Sequence, residues 1–103
     1  MILYEYLSSA RRATSVRVVV ITKEDTDYAR TVGTFVSDFE RQTGRTLEVL
    51  DPGSPDGDSF CRTYDIVEYP TIIALGNDGQ MQNMWAGTML PTISEVSYYA
   101  TQD

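Results

Sequence analysis

A chain of 103 residues, 42% of them hydrophobic, supports one domain with one core and excludes the disordered and collagen-like classes. Fifteen acidic residues against eight basic ones leave a net charge of −7. This argues against nucleic acid and anionic membranes as partners, because both are held by Lys and Arg neutralising phosphates. One cysteine, Cys61, and no histidine leave no intramolecular disulfide and no Cys/His metal site. No apolar run reaches the length of a membrane span. In the opening MILYEYLSSARRAT the basic pair follows the apolar residues, the reverse of a secretory signal, so the expected location is cytoplasmic.

Residues 2–13 read as a helix. Leu3, Leu7 and Ala10 share a face with Tyr4 beside them, and Arg11 and Arg12 stand at the C-terminal end, where cations suit the dipole. Its expected place is over an edge or face of the sheet. Val16 to Ile21, VRVVVI, reads as a central strand covered on both faces. A polar loop leads into the strongest helix pattern, about 27–43, in which Tyr28, Val32, Phe35, Val36 and Phe39 form one apolar stripe. Asp25 or Thr26 is its expected N-cap, and Gly44 stands where a left-handed C-terminal cap belongs.

Thr46 to Leu50 reads as a second strand, completing a βαβ unit. Ser54 and Pro55 suit the cap and first position of a short helix running to about Tyr64, with Phe60, Cys61 and Tyr64 facing inward. A strand at 71–75, an Asn77-Asp78-Gly79 turn and a strand at about 80–86 form a hairpin. Thr92 and Glu95 have capping-box spacing for a last helix, with Ile93, Val96 and Ala100 on its apolar side. The order predicts one mixed four-stranded sheet, βαβ then ββα, with helices on both faces, in a single domain spanning 1–103 with its core in 16–102.

Between the short helix and the hairpin lies YDIVEYPTII, residues 64–73. A proline removes a ladder donor, so Pro70 belongs at the very start of its strand. Tyr64-x-Ile66-x-x-Tyr69-Pro70-Thr71, the apolar strand, the Asn77-Asp78-Gly79 turn and a second strand ending at Gly87 resemble the second half of the thioredoxin fold. The resemblance covers roughly residues 17–102. It implies a thioredoxin-like domain in which Pro70 is cis and its loop faces the site. It leaves function open, because that fold hosts many activities.

Redox-active members of the family carry Cys-x-x-Cys between the first strand and the long helix, where the helix N-terminus favours the nucleophilic thiolate. The matching stretch here is similar to the glutaredoxin pattern of strand, Thr-Lys, then Cys-Pro-Tyr-Cys. Thr22 and Lys23 match. Thr26 stands at the first cysteine's place, Asp27 replaces the proline, Tyr28 matches the tyrosine, and Ala29 stands at the second cysteine's place. No cysteine precedes Cys61, so a shift of register changes nothing. The Thr26 hydroxyl does not ionise near neutral pH, and no histidine is present to activate it. Dithiol–disulfide exchange is therefore expected to be absent.

Other features have a plain reading beside a functional one. Cys61, next to Arg62, is either a small buried apolar residue or a monothiol that handles glutathione or senses oxidants. The aspartates around 51–65 do not make a calcium loop, since an EF-hand started at Asp56 puts Phe60 and Val67 at liganding positions. Glu24, Asp25 and Asp27 either suit the dipole of the long helix or form an acidic rim for a basic peptide. Met84 and Trp85, in a stretch with Met81 and Met89, either pack inward or mark a partner surface. In the family, the residue before the cis proline pairs its backbone with an extended peptide or glutathione. That role needs no cysteine, and the resemblance carries it to Tyr69, Pro70 and Thr71. The expectation is a redox-inactive, cofactor-free module binding a protein or peptide segment between Thr26-Asp27-Tyr28 and Tyr69-Pro70-Thr71. The alternatives are a Cys61 thiol enzyme and a homo-oligomer joined through Met84, Trp85 and the last helix.

Overall fold

The computed structural model describes residues 17–100. The helix expected over 2–13, Val16, and the residues beyond Ala100 lie outside the described residues. Seven elements follow in order: β1 (Arg17–Ile21), α1 (Ala29–Thr43), β2 (Glu48–Leu50), α2 (Pro55–Thr63), β3 (Thr71–Leu75), β4 (Met81–Ala86) and α3 (Ile93–Ala100). They build one four-stranded sheet of order β2-β1-β3-β4. β1 runs parallel to β2 and antiparallel to β3, and β3 runs antiparallel to β4.

The two central strands are continuous apolar runs because both their faces are covered. Val18 and Val20 of β1, with Ile72 and Ala74 of β3, pack against Val32 and Phe39 of α1 and Val96 of α3. The alternate residues Val19, Ile21, Ile73 and Leu75 face Cys61 of α2 and Ile66. α1 and α3 thus cover one face and α2 the other. Each of the buried Val, Ile, Leu and Phe side chains among these contributes about 1.5–3 kcal/mol relative to an exposed one.

The caps explain where most elements end. Gly44 takes φ 73°, and its N–H bonds the Glu40 carbonyl at 2.8 Å. The Ser54 hydroxyl accepts from the Gly57 N–H at 3.0 Å with Pro55 opening α2. Thr92 and Glu95 close a capping box: the Glu95 carboxylate accepts from the Thr92 N–H at 2.8 Å, and the Thr92 hydroxyl accepts from the Glu95 N–H at 3.1 Å. The loop before α2 wraps so closely that a Cβ on Gly57 would lie 1.8 Å from the Asp51 carbonyl oxygen. Only glycine fits there.

The start of α1 differs from expectation. It begins at Ala29, after a tight turn in which the Ala29 N–H bonds the Thr26 carbonyl at 3.2 Å. Tyr28 is the N-cap and supplies no side-chain bond. The Thr26 hydroxyl donates back to the Lys23 carbonyl at 2.8 Å, and with Tyr28 at the N-cap Thr26 stands two residues ahead of the capping position. Asp25 sits at φ 61° within the turn. Glu24, Asp25 and Asp27 all precede the helix, which has no acid in its first turn. β2 is also shorter than expected. Its pairing with β1 begins at Val19↔Glu48, and the Thr46 hydroxyl is turned to the Glu40 carboxylate at 3.0 Å.

Candidate functional site

The Tyr69–Pro70 bond, which is cis, lies where the chain leaves the loop after α2 and enters β3. Two contacts hold this corner. The Thr71 hydroxyl donates to the Glu68 carbonyl at 2.6 Å, and the Pro70 carbonyl accepts from the Gly87 N–H at 2.8 Å. Gly87 takes φ 98°, and a Cβ there would meet the Glu68 carboxylate at 3.0 Å. The register Thr71↔Ala86 sets this meeting, because it brings the end of β4 beside the start of β3.

A groove of 370 Å³ opens between this corner and the start of α1. Asp27, Tyr28, Thr31 and Val32 form one wall, and Pro70, Thr88 and Leu90 form the other. The backbone N–H and C=O of Tyr69 have no hydrogen-bond partner among the described residues. Exposed carboxylates stand at Asp27 in the groove wall and at Glu68 in the corner, and Glu24 and Asp25 are exposed in the loop before α1. Among the described residues, no group of three or more His, Cys, Asp or Glu side chains is placed to hold a metal ion, and no helix is long and apolar enough to cross a membrane.

The candidates from the sequence separate here. Asp27, Tyr28 and Pro70 come together at the groove, whereas Thr26 and Thr71 do not reach it. Thr26 is bonded into its own turn, and Thr71 is buried at 1% exposure with its hydroxyl occupied. Ala29 lines a separate depression of 310 Å³ beside Thr22, whose buried hydroxyl has no partner among the described residues. Met84 and Trp85 do not form one patch. Neighbours on a strand point to opposite faces. Met84 packs with the α2-side cluster and Trp85 with the α1/α3-side cluster.

The Tyr69 side chain turns away from the groove to the α2 side. Lys23 Nζ lies 5.5 Å from the centre of its ring. Its hydroxyl comes near the Cys61 thiol on the α2 side of the sheet. Cys61 is only 6% exposed. Burial first, and then the nearby Asp58 charge, pushes its thiol above the ordinary value, against a smaller lowering effect of the neighbouring Tyr69 hydroxyl. Burial, followed by the charges of Cys61 and Asp58, likewise raises the Tyr69 hydroxyl.

Thr31, Val32, Thr88 and Leu90 are groove residues that sequence reasoning missed. Thr31 and Val32 follow Tyr28 by three and four positions, so helical spacing alone places them on its face. Thr88 and Leu90 carry no local signal, because their place depends on the β3–β4 register.

No protein-family model matches the chain, and no curated protein is significantly similar to it. Solved structures do match. Thioredoxin O2 from Arabidopsis thaliana superposes with TM-score 0.63 at 13% identity, over 93% of this chain and 81% of that one. A Schistosoma mansoni thioredoxin gives TM-score 0.63 at 19% identity, over 91% and 85%. A thioredoxin from Thermus thermophilus gives 0.58 at 18% identity, over 91% and 77%. The fold is thioredoxin-like. At such identities the likeness establishes the architecture alone. Within this thioredoxin-like fold, the positions before and at the start of α1 are Thr26, Asp27, Tyr28 and Ala29, and the chain's one thiol lies across the sheet from the groove.

Proposed function

We propose that this thioredoxin-like domain is a binding module without dithiol chemistry. It takes an extended protein or peptide segment along the groove between Asp27-Tyr28 and Pro70. The observation that carries this reading is the 370 Å³ groove running beside a Tyr69 backbone whose donor and acceptor are both unpaired among the described residues. An extended segment laid there gains main-chain hydrogen bonds as an added strand does, and side-chain pockets set its specificity. Val32, Leu90 and the Tyr28 ring supply apolar contact, while the surrounding carboxylates favour a segment carrying Lys or Arg. The monothiol alternative receives less support, because Cys61 is buried and its thiol is held protonated at neutral pH.

A displayed library of random peptides, selected on the folded domain, tests the reading. The expected result is enrichment of basic, extended sequences. Their binding should weaken at least about tenfold in Asp27→Lys and Thr88→Arg variants that keep the wild-type melting temperature. In parallel, insulin reduction by dithiothreitol should proceed no faster with the domain than without it. Failure to enrich any sequence, or binding indifferent to both substitutions, contradicts the groove. Accelerated insulin reduction contradicts the loss of redox activity.

A further inference from the structure

A third concavity lies on the flank of the sheet, where β4 meets α3. Trp85 of β4 and Tyr99 of α3 stand with ring centres 5.6 Å apart and planes at 71°. Tyr98 meets Tyr99 at 5.1 Å and 89°. These near-perpendicular rings, with Asn83 and Glu95, line a pocket of 310 Å³. Tyr98 is 63% exposed and forms the outer wall. The Glu95 carboxylate is fixed at the pocket by its capping bonds from the Thr92 N–H and hydroxyl, both to Oε1. None of the ion pairs among the described residues involves it.

Aromatic faces are negative and attract cations, best when the cation is shed of water. The kind of cation follows from the hydrogen bonds already made. The Asn83 amide donates to the Tyr99 hydroxyl at 3.1 Å, and its oxygen accepts from the Met84 N–H at 2.8 Å. Glu95 Oε1 is also occupied. A lysine ammonium or an arginine guanidinium brings several N–H donors that must find acceptors on leaving water. Glu95 Oε2 is the carboxylate oxygen left free by these bonds, and it cannot by itself satisfy the three donors of an ammonium or the five of a guanidinium. A quaternary ammonium carries the charge with no N–H at all and presents methyl groups to the rings. We propose that the corner of Trp85, Tyr98 and Tyr99, with Glu95 at its edge, binds a quaternary ammonium group. The net charge of −7 favours the approach of such a ligand.

Trp85 is the chain's single tryptophan, so intrinsic fluorescence reports on the pocket directly. Choline chloride is titrated into the full chain, with sodium chloride at matched concentration and the neutral carbon analogue 3,3-dimethylbutan-1-ol as controls. The expected result is a saturable change with choline in the millimolar range, none with salt, and at least roughly fivefold weaker binding of the neutral analogue. Glu95→Gln keeps an acceptor for the capping box and removes only the charge. It and Tyr98→Ala, at an exposed position, should each weaken choline by roughly three- to tenfold with the circular dichroism spectrum unchanged. A peptide carrying trimethyllysine distinguishes the source. Tighter binding than choline means a methylated protein segment, and equal or weaker binding means a small ligand; both sustain the site. No saturable response to choline, equal binding of the neutral alcohol, or indifference to both substitutions overturns it.

Discussion

Cys61 and Tyr69 show how burial decides chemistry at a single position. The thiol lies against Tyr69 under the α2 face of the sheet, and both groups hold their protons more tightly than they would in water. The effect on stability has a definite sign. Below the ordinary thiol value of about 8.5, folded and unfolded chains are both protonated at Cys61, and the pairing is neutral to pH. Above it the unfolded chain loses its proton first, so stability falls as pH rises until the folded group ionises as well. Urea unfolding between pH 7 and 10 should therefore show stability declining above about pH 8.5, with a smaller decline in Cys61→Ala. Iodoacetamide should modify Cys61 in the native protein at the rate of global opening, not at that of a free thiol. A native-state rate matching the unfolded protein contradicts this. The inward place of Cys61 was legible from its helix. Its approach to Tyr69 was not, because the two meet only when α2 lies against the sheet.

At the scale of elements, most boundaries follow from chemistry visible in the sequence. Ser54-Pro55, Gly44 and the Thr92/Glu95 pair each cap the helix that their spacing predicts. The start of α1 departs from this because the turn closed by the Ala29 N–H on the Thr26 carbonyl puts Tyr28 at the N-cap. The helical stripe carries no signal of that turn. Gly33 is the odd residue within α1, exposed in mid-helix, with open space where a Cβ would go. A glycine there carries backbone entropy that no contact in the fold requires. Gly33→Ala should stabilise the domain by about 0.5–1 kcal/mol, read as a higher urea midpoint with an unchanged slope. A loss of stability at that position would show that the helix needs the gap.

For the whole molecule, alternating β-branched runs and helical stripes were enough to predict a mixed sheet covered on both faces, and the thioredoxin-like comparisons agree. The groove was only half legible. Its α1 wall follows from Tyr28 and helical spacing, but its second wall forms when the β3–β4 register carries Thr88 and Leu90 beside Pro70. The groove, acidic surroundings and unpaired Tyr69 backbone make one account in which the fold serves capture of a segment. Amide hydrogen exchange of the domain, with and without a peptide selected on it, tests that account most directly. Strand-like pairing predicts that the Tyr69 amide gains protection when peptide is bound, together with perturbation of Tyr28, Thr31 and Thr88. A bound peptide that leaves the Tyr69 amide exchanging at its free rate would contradict the groove as the binding site.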